Sequence, residues 1–160
     1  MSNRAEVVCA DTEGFRDGEN DGPLTAEGET SEIDEDVVWK LDMIGELDVF
    51  PHNLAAGNPL IVGDRLFTVT GNGVDEGHAN IPAPLAPSFI AVDKRTGKLV
   101  WENGLPGGNI LHGQWSNPVF GEAGGRRQVV FPGGDGWLYS LAPDTGELIW
   151  KFDCNPKDAR

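Results

Sequence analysis

Apolar residues fall in short alternating runs broken by glycine, and the same pattern returns along the chain. Residues 89–102 read FIAVDKRTGKLVWE, with apolar Phe89–Val92, a Thr96-Gly97 pair, then Leu99, Val100 and Trp101. Residues 138–151 read LYSLAPDTGELIWK, with Thr145-Gly146 and then Leu148, Ile149 and Trp150. Aromatic and β-branched residues on either side of a glycine-bearing turn predict two strands of a hairpin. Glycine supplies a turn conformation that other residues adopt only at a steric cost. Each hairpin is preceded by another pair of apolar runs, NPLIVGDRLFTVTGNG at 58–73 and NPVFGEAGGRRQVVFPGG at 117–134. Asn-Pro opens both, a glycine turn divides them, and glycines close them. The predicted unit is four strands over roughly 50–60 residues including loops.

A third copy is split. RAEVVCADTEG at 4–14 reads as the third strand and its turn, and VVWKLD at 37–42 as the fourth strand, with an acidic insertion at 15–36 between them. Four-stranded units repeated at this period predict an all-β fold, a β-propeller of four-stranded antiparallel blades. About two and a half blades are expected: residues 1–42 as a half blade, 43–103 and 104–154 as full blades, and 155–160 as a tail. No segment sustains the 3.6-residue period of a helical repeat.

Composition agrees with a turn-rich β fold, since 22 glycines and 11 prolines punctuate the 160 residues. Net charge is −14, and residues 1–36 hold −10 of it. That balance excludes a phosphate-backbone partner, which demands a lysine and arginine stripe. No apolar run reaches the roughly 20 residues a membrane helix needs. Cys9 and Cys154 lie far apart and form no CxxC, so they predict neither a zinc site nor a disulfide framework.

Candidate chemistry follows from strand direction. In antiparallel blades, second-to-third-strand loops and blade-to-blade connections emerge at the same end. His52 and Asn53 fall on one connection, and His112, Gln114 and Trp115 on the next. Asp75, Glu76 and His78 fall on one loop and Asp135 on another. Together they predict a ligand-binding face, with the acidic insertion at the opposite end. None has a local metal-ligand spacing such as HxH or HExxH, so no metal and no catalytic residue is assigned. DGENDG at 17–22 resembles the first half of a calcium loop through Asp17, Glu19, Asp21 and Gly22, but the twelfth position is Gly28 rather than Glu. GGDG at 133–136 precedes a strand and reads as a turn, not a phosphate loop.

The repeats resemble the PQQ-repeat β-propellers, whose signature is Ala-x-Asp-x-x-Thr-Gly-x-x-x-Trp. Ala91, Asp93, Thr96, Gly97 and Trp101 match every marked position. The later copy keeps Thr145, Gly146 and Trp150, with Ser140 and Ala142 in place of the Ala and Asp; the first keeps Cys9, Asp11, Gly14 and Trp39. The resemblance implies that Trp39, Trp101 and Trp150 pack between blades. It also implies a ring of seven or eight blades, of which this chain would be a fragment. The remaining blades, or copies of the chain, would then be its partners, and a periplasmic or cell-envelope location is expected. Quinoprotein relatives hold PQQ between a tryptophan and a vicinal disulfide beside calcium. Trp115 and Trp137 are candidates for stacking, but the chain has no Cys-Cys pair, so no cofactor is expected here. The function expected is a non-catalytic scaffold or interaction surface. The alternative is a piece of a quinoprotein oxidoreductase whose PQQ and calcium residues lie on other blades.

Overall fold

The computed structural model describes residues 4–26, 30–55 and 57–157. The expectations for Met1–Asn3, for Gly28 and for the tail beyond 157 lie outside these residues. Strands β1 (Glu6–Ala10) and β2 (Val37–Asp42) form a two-stranded antiparallel sheet. Strands β3 (Leu60–Val62), β4 (Arg65–Val69), β5 (Phe89–Asp93) and β6 (Leu99–Asn103) form a four-stranded sheet in chain order. Strands β7 (Val119–Ala123), β8 (Arg126–Pro132), β9 (Trp137–Leu141) and β10 (Leu148–Asp153) repeat it. All neighbouring pairs are antiparallel, as propeller blades require. The Asn-Pro openings of the two first strands meet, with the Asn58 N–H donating to Asn117 Oδ1 at 2.6 Å.

Short helical turns escape the sequence pattern, at Gly14–Asp17, Met43–Leu47 and Gly107–Asn109. Helix α1 (Met43–Leu47) is a single turn, too short to show a period. Asp42 caps it by accepting from the N–H groups of Ile44 and Gly45, and Glu46 accepts the Asp42 N–H in return.

Side-chain alternation explains why each blade is apolar on both faces. In β5, Ile90 and Val92 face a core shared with Val7, Trp39, Leu41 and Met43. Phe89 and Ala91 face the other way, into a core shared with Val129, Phe131, Tyr139 and Leu141. Successive residues of a strand point to opposite sides, so one strand serves two interfaces. Phe89 and Phe131 stack across the second interface with ring centroids 4.6 Å apart.

The repeat signature now acquires a physical meaning. Trp39 is 3% exposed, and its indole N–H donates to Lys94 O in the hairpin turn of the next blade at 2.8 Å. Its ring lies flat on Gly97, where a Cβ would stand 2.5 Å from Cε3. Trp101, 7% exposed, repeats both contacts one blade on, donating to Pro143 O at 2.9 Å and covering Gly146. Each tryptophan thus fastens its blade to the following Thr-Gly turn. Among the described residues, Trp150 covers no such turn. It is 39% exposed, and its indole donates to Gln128 Oε1 of its own blade. Around it Val119 and Phe152 are 59% and 60% exposed.

The first hairpin differs in a complementary way. Gly14 is also left-handed, at φ 61, but a Cβ there would meet Asp34 O at 2.8 Å. The backbone of the acidic insertion occupies the place that tryptophan rings take on the later turns.

The aspartate of the signature staples its turn. Asp93 Oδ1 accepts from the Arg95 and Thr96 N–H groups and from Thr96 Oγ1. The Arg95 N–H bond foremost, with those from Thr96 and the nearby Arg65 charge, holds this carboxyl below its ordinary 3.8. A carboxyl depressed on folding contributes stability that is complete above its unfolded value and is lost as pH falls through the folded one. Urea midpoints are therefore expected to fall as pH drops from about 4 toward 2, and Asp93→Asn, which keeps the turn but cannot titrate, to make that fall shallower. An unchanged slope in the variant would remove Asp93 from the account.

Candidate functional site

Backbone hydrogen bonds stitch the loops at one end of the blades together. His52 N–H donates to Gly71 O, and Gly73 N–H to Phe50 O. Val74 N–H donates to His112 O at 2.8 Å, and Leu111 N–H to Gly134 O at 3.1 Å. Two connections and two loops are thus locked into one surface, as strand direction predicts. Buried Asn72 anchors it, accepting from Phe50 N–H and donating to Ala83 O. Gly73 lets the connections approach, since a Cβ there would lie 2.5 Å from His112 O and 2.6 Å from His52 Cβ. Neither residue was singled out from the sequence, although both sit in the Gly-Asn-Gly that closes β4.

All three histidines converge on this surface. His112 Nε2 lies 2.8 Å from His52 Nε2 and 2.9 Å from His78 Nε2. His52 is buried, and its Nδ1 lies 2.9 Å from Val74 O. A carbonyl can only accept, so Nδ1 carries a hydrogen, and in the neutral ring Nε2 presents a lone pair. Desolvation by its neighbours first, then repulsion from any charge on His52 and His78, pulls His112 below its ordinary 6.5, favouring the neutral ring. Trp115 stands edge-on to His112, with centroids 4.9 Å apart, and its indole donates to Leu54 O. His78 and His112 are exposed, so the cluster opens to solvent on one side.

The other predicted residues take supporting places. Asp75 accepts from Ala79 N–H and Asn80 Nδ2, and these bonds, the Ala79 one foremost, hold its carboxyl below 3.8. They brace the tight turn on which His78 sits at φ 54. Asn53 takes a left-handed turn position at φ 61, and Glu76 is exposed. Gln114 is fully buried, with Oε1 accepting from Gly134 N–H. Asp135 is turned to its own blade rather than toward the histidines, accepting from Tyr139 Oη at 2.5 Å and from Trp137 N–H. Trp137 lies under the Lys151 ammonium, 4.7 Å from its ring centroid.

A second cluster forms in the acidic insertion, at the end of the blades that carries the hairpin turns. Carboxylate oxygens of Asp11, Asp17 and Asp21 lie within 4.8 Å of one another, the first two already accepting local N–H groups. Asp36 beside them is buried, with Oδ2 accepting the Asp21 N–H and Oδ1 without a partner among the described residues. Desolvation first, then the charges of Asp11, Asp17 and Asp36, raise the Asp21 carboxyl above 3.8. Glu19 stays exposed outside the trio. Cys9 and Cys154 are free thiols.

Antiparallel four-stranded sheets fastened tryptophan to turn, with their loops gathered at one end, define the fold as that of β-propeller blades. Residues 86–159 match the family model described as outer membrane protein assembly factor BamB. Among solved structures, BamB from Moraxella catarrhalis is similar at a TM-score of 0.50 and 16% identity, over 78% of this chain and 29% of that one. The chain thus spans less than a third of the structure it matches. No curated protein sequence matches it. The fold is that of β-propeller blades, and residues 86–159 carry the match to a PQQ-like propeller repeat family. Among the described residues, no helix is long and apolar enough to cross a membrane.

Proposed function

We propose that the chain acts as a non-catalytic propeller scaffold in the cell envelope, and that the open face around Trp150 docks a further blade of the same repeat. The observation that carries this is the contrast among the three repeat tryptophans. Trp39 and Trp101 are buried under a neighbouring turn, and Trp150 is not. A second copy of this chain is a poor occupant, because Asp34 O already covers the Gly14 turn it would offer. A blade with an uncovered Thr-Gly turn fits, since that is what the two preceding tryptophans hold. Envelope location and an assembly role are supported by the description of the matching family.

Repeat proteins gain stability from each nearest-neighbour interface. Appending a duplicate of residues 104–157 after Lys157 is expected to raise the urea midpoint. An unchanged midpoint would contradict the reading. So would sedimentation showing that the unextended chain closes into rings through Trp150.

A further inference from the structure

We infer that Nε2 of His52, His78 and His112 together hold one divalent transition-metal ion, with an open coordination position toward solvent. This goes beyond the scaffold reading and does not depend on it.

Hydrogen bonding among the rings cannot account for the geometry. A neutral imidazole carries one ring hydrogen, and that of His52 sits on Nδ1, facing Val74 O. His112 Nε2 stands between the other two Nε2 atoms, at 2.8 and 2.9 Å. If His112 Nε2 bears a hydrogen, it can point squarely at only one neighbour. If it does not, its single lone pair faces two. Either way one short contact lacks a well-aimed hydrogen, whereas a cation satisfies three lone pairs at once.

The spacing suits such an ion. Zinc–imidazole bonds of about 2.0–2.1 Å place ligand nitrogens about 2.9 Å apart at right angles and about 3.3 Å apart at the tetrahedral angle. The two His112 contacts lie within a few tenths of an ångström of that range, the His52 and His78 donor atoms lie within 4.8 Å of each other, and the His78 and His112 side chains are exposed and can adjust. The supporting contacts are those a metal site uses. His52 Nδ1–H to Val74 O fixes the tautomer and aims the ring, as outer partners of ligating histidines do. Asp75 braces the His78 turn, and Gly73 keeps the two connections close. Three imidazoles without a thiolate suit zinc, copper, nickel or iron rather than calcium or magnesium.

The test is calorimetric titration of the metal-free chain with Zn2+, alongside X-ray absorption of the loaded protein. One zinc per chain is expected, with imidazole scattering at about 2.0 Å. His78→Asn, which keeps a residue tolerant of positive φ, and His112→Gln are each expected to weaken binding at least about 100-fold. Asp17→Asn in the acidic insertion should leave it unchanged. Circular dichroism reports whether each variant stays folded, and His78 on its exposed loop is the position least tied to the fold. Absence of zinc uptake at micromolar metal overturns the proposal. Uptake that survives both histidine substitutions, or follows Asp17→Asn, overturns it equally.

Discussion

Trp101→Ala is expected to cost the chain about 3–5 kcal/mol of stability, the range for removing a large aromatic from a core. Trp150→Ala, the same change at the same place in the repeat, is expected to cost about 1 kcal/mol. The difference follows from where each ring sits. Trp101 is buried between blades, edge-on to Phe131 and 5.9 Å from the Phe67 ring, with its indole on Pro143 O. Truncation leaves a cavity in the core between two sheets and strands that carbonyl. Trp150 is partly solvated, and its indole bond is to Gln128, which also accepts from Ser140 Oγ. Urea unfolding followed by circular dichroism measures both. Equal losses would mean that the tryptophan serves its own blade and not the junction.

Gly146→Ala is the second large effect expected. At φ +71 the backbone is left-handed, which costs an L-residue roughly 1–2 kcal/mol. The added methyl would also lie 2.6 Å from Cε3 and 2.7 Å from Cδ2 of Trp101, an overpacking that costs typically about 1–3 kcal/mol. Together the loss should be about 2–5 kcal/mol. Gly63 supplies the control: it is left-handed at φ +59, with nothing within 4 Å of its missing Cβ. Gly63→Ala should therefore show the backbone cost alone, about 1–2 kcal/mol. If both glycine variants lose the same amount, the ring over Gly146 is not a close contact in solution.

The strands were legible because alternation and turn chemistry act locally. The sequence reading of Val37–Asp42 as a strand coincides with β2. The Thr-Gly signature was legible as a hairpin, but its deeper cause was not. Gly97 and Gly146 look like turn residues, and only the fold shows that a tryptophan from the preceding blade lies on each. Helix α1 was missed because one turn has no period to read.

The candidate site was legible in part for a related reason. Strand direction places His52, His78 and His112 at one end of the blades, and the structure brings them there. Direction alone does not say that three Nε2 atoms meet, because that depends on Asn72, Gly73 and the Asp75 turn, which set how the loops fold over one another. The same limit applies to Asp135, on the same end by topology yet turned to Tyr139. Charge could show that the insertion is acidic. It could not show that the insertion's own backbone caps the Gly14 turn.

The central claim is that each blade is fastened to the next by a tryptophan lying on a glycine turn. A double-mutant cycle between Trp101→Ala and Gly146→Ala measures this directly. Once the ring is gone, the methyl at position 146 has nothing to strike, so the double variant should be more stable than the sum of the two losses predicts. A coupling of at least about 1 kcal/mol is expected, within the range for residues in contact. Additivity within about 0.3–0.5 kcal/mol, the behaviour of distant and independent sites, would contradict it.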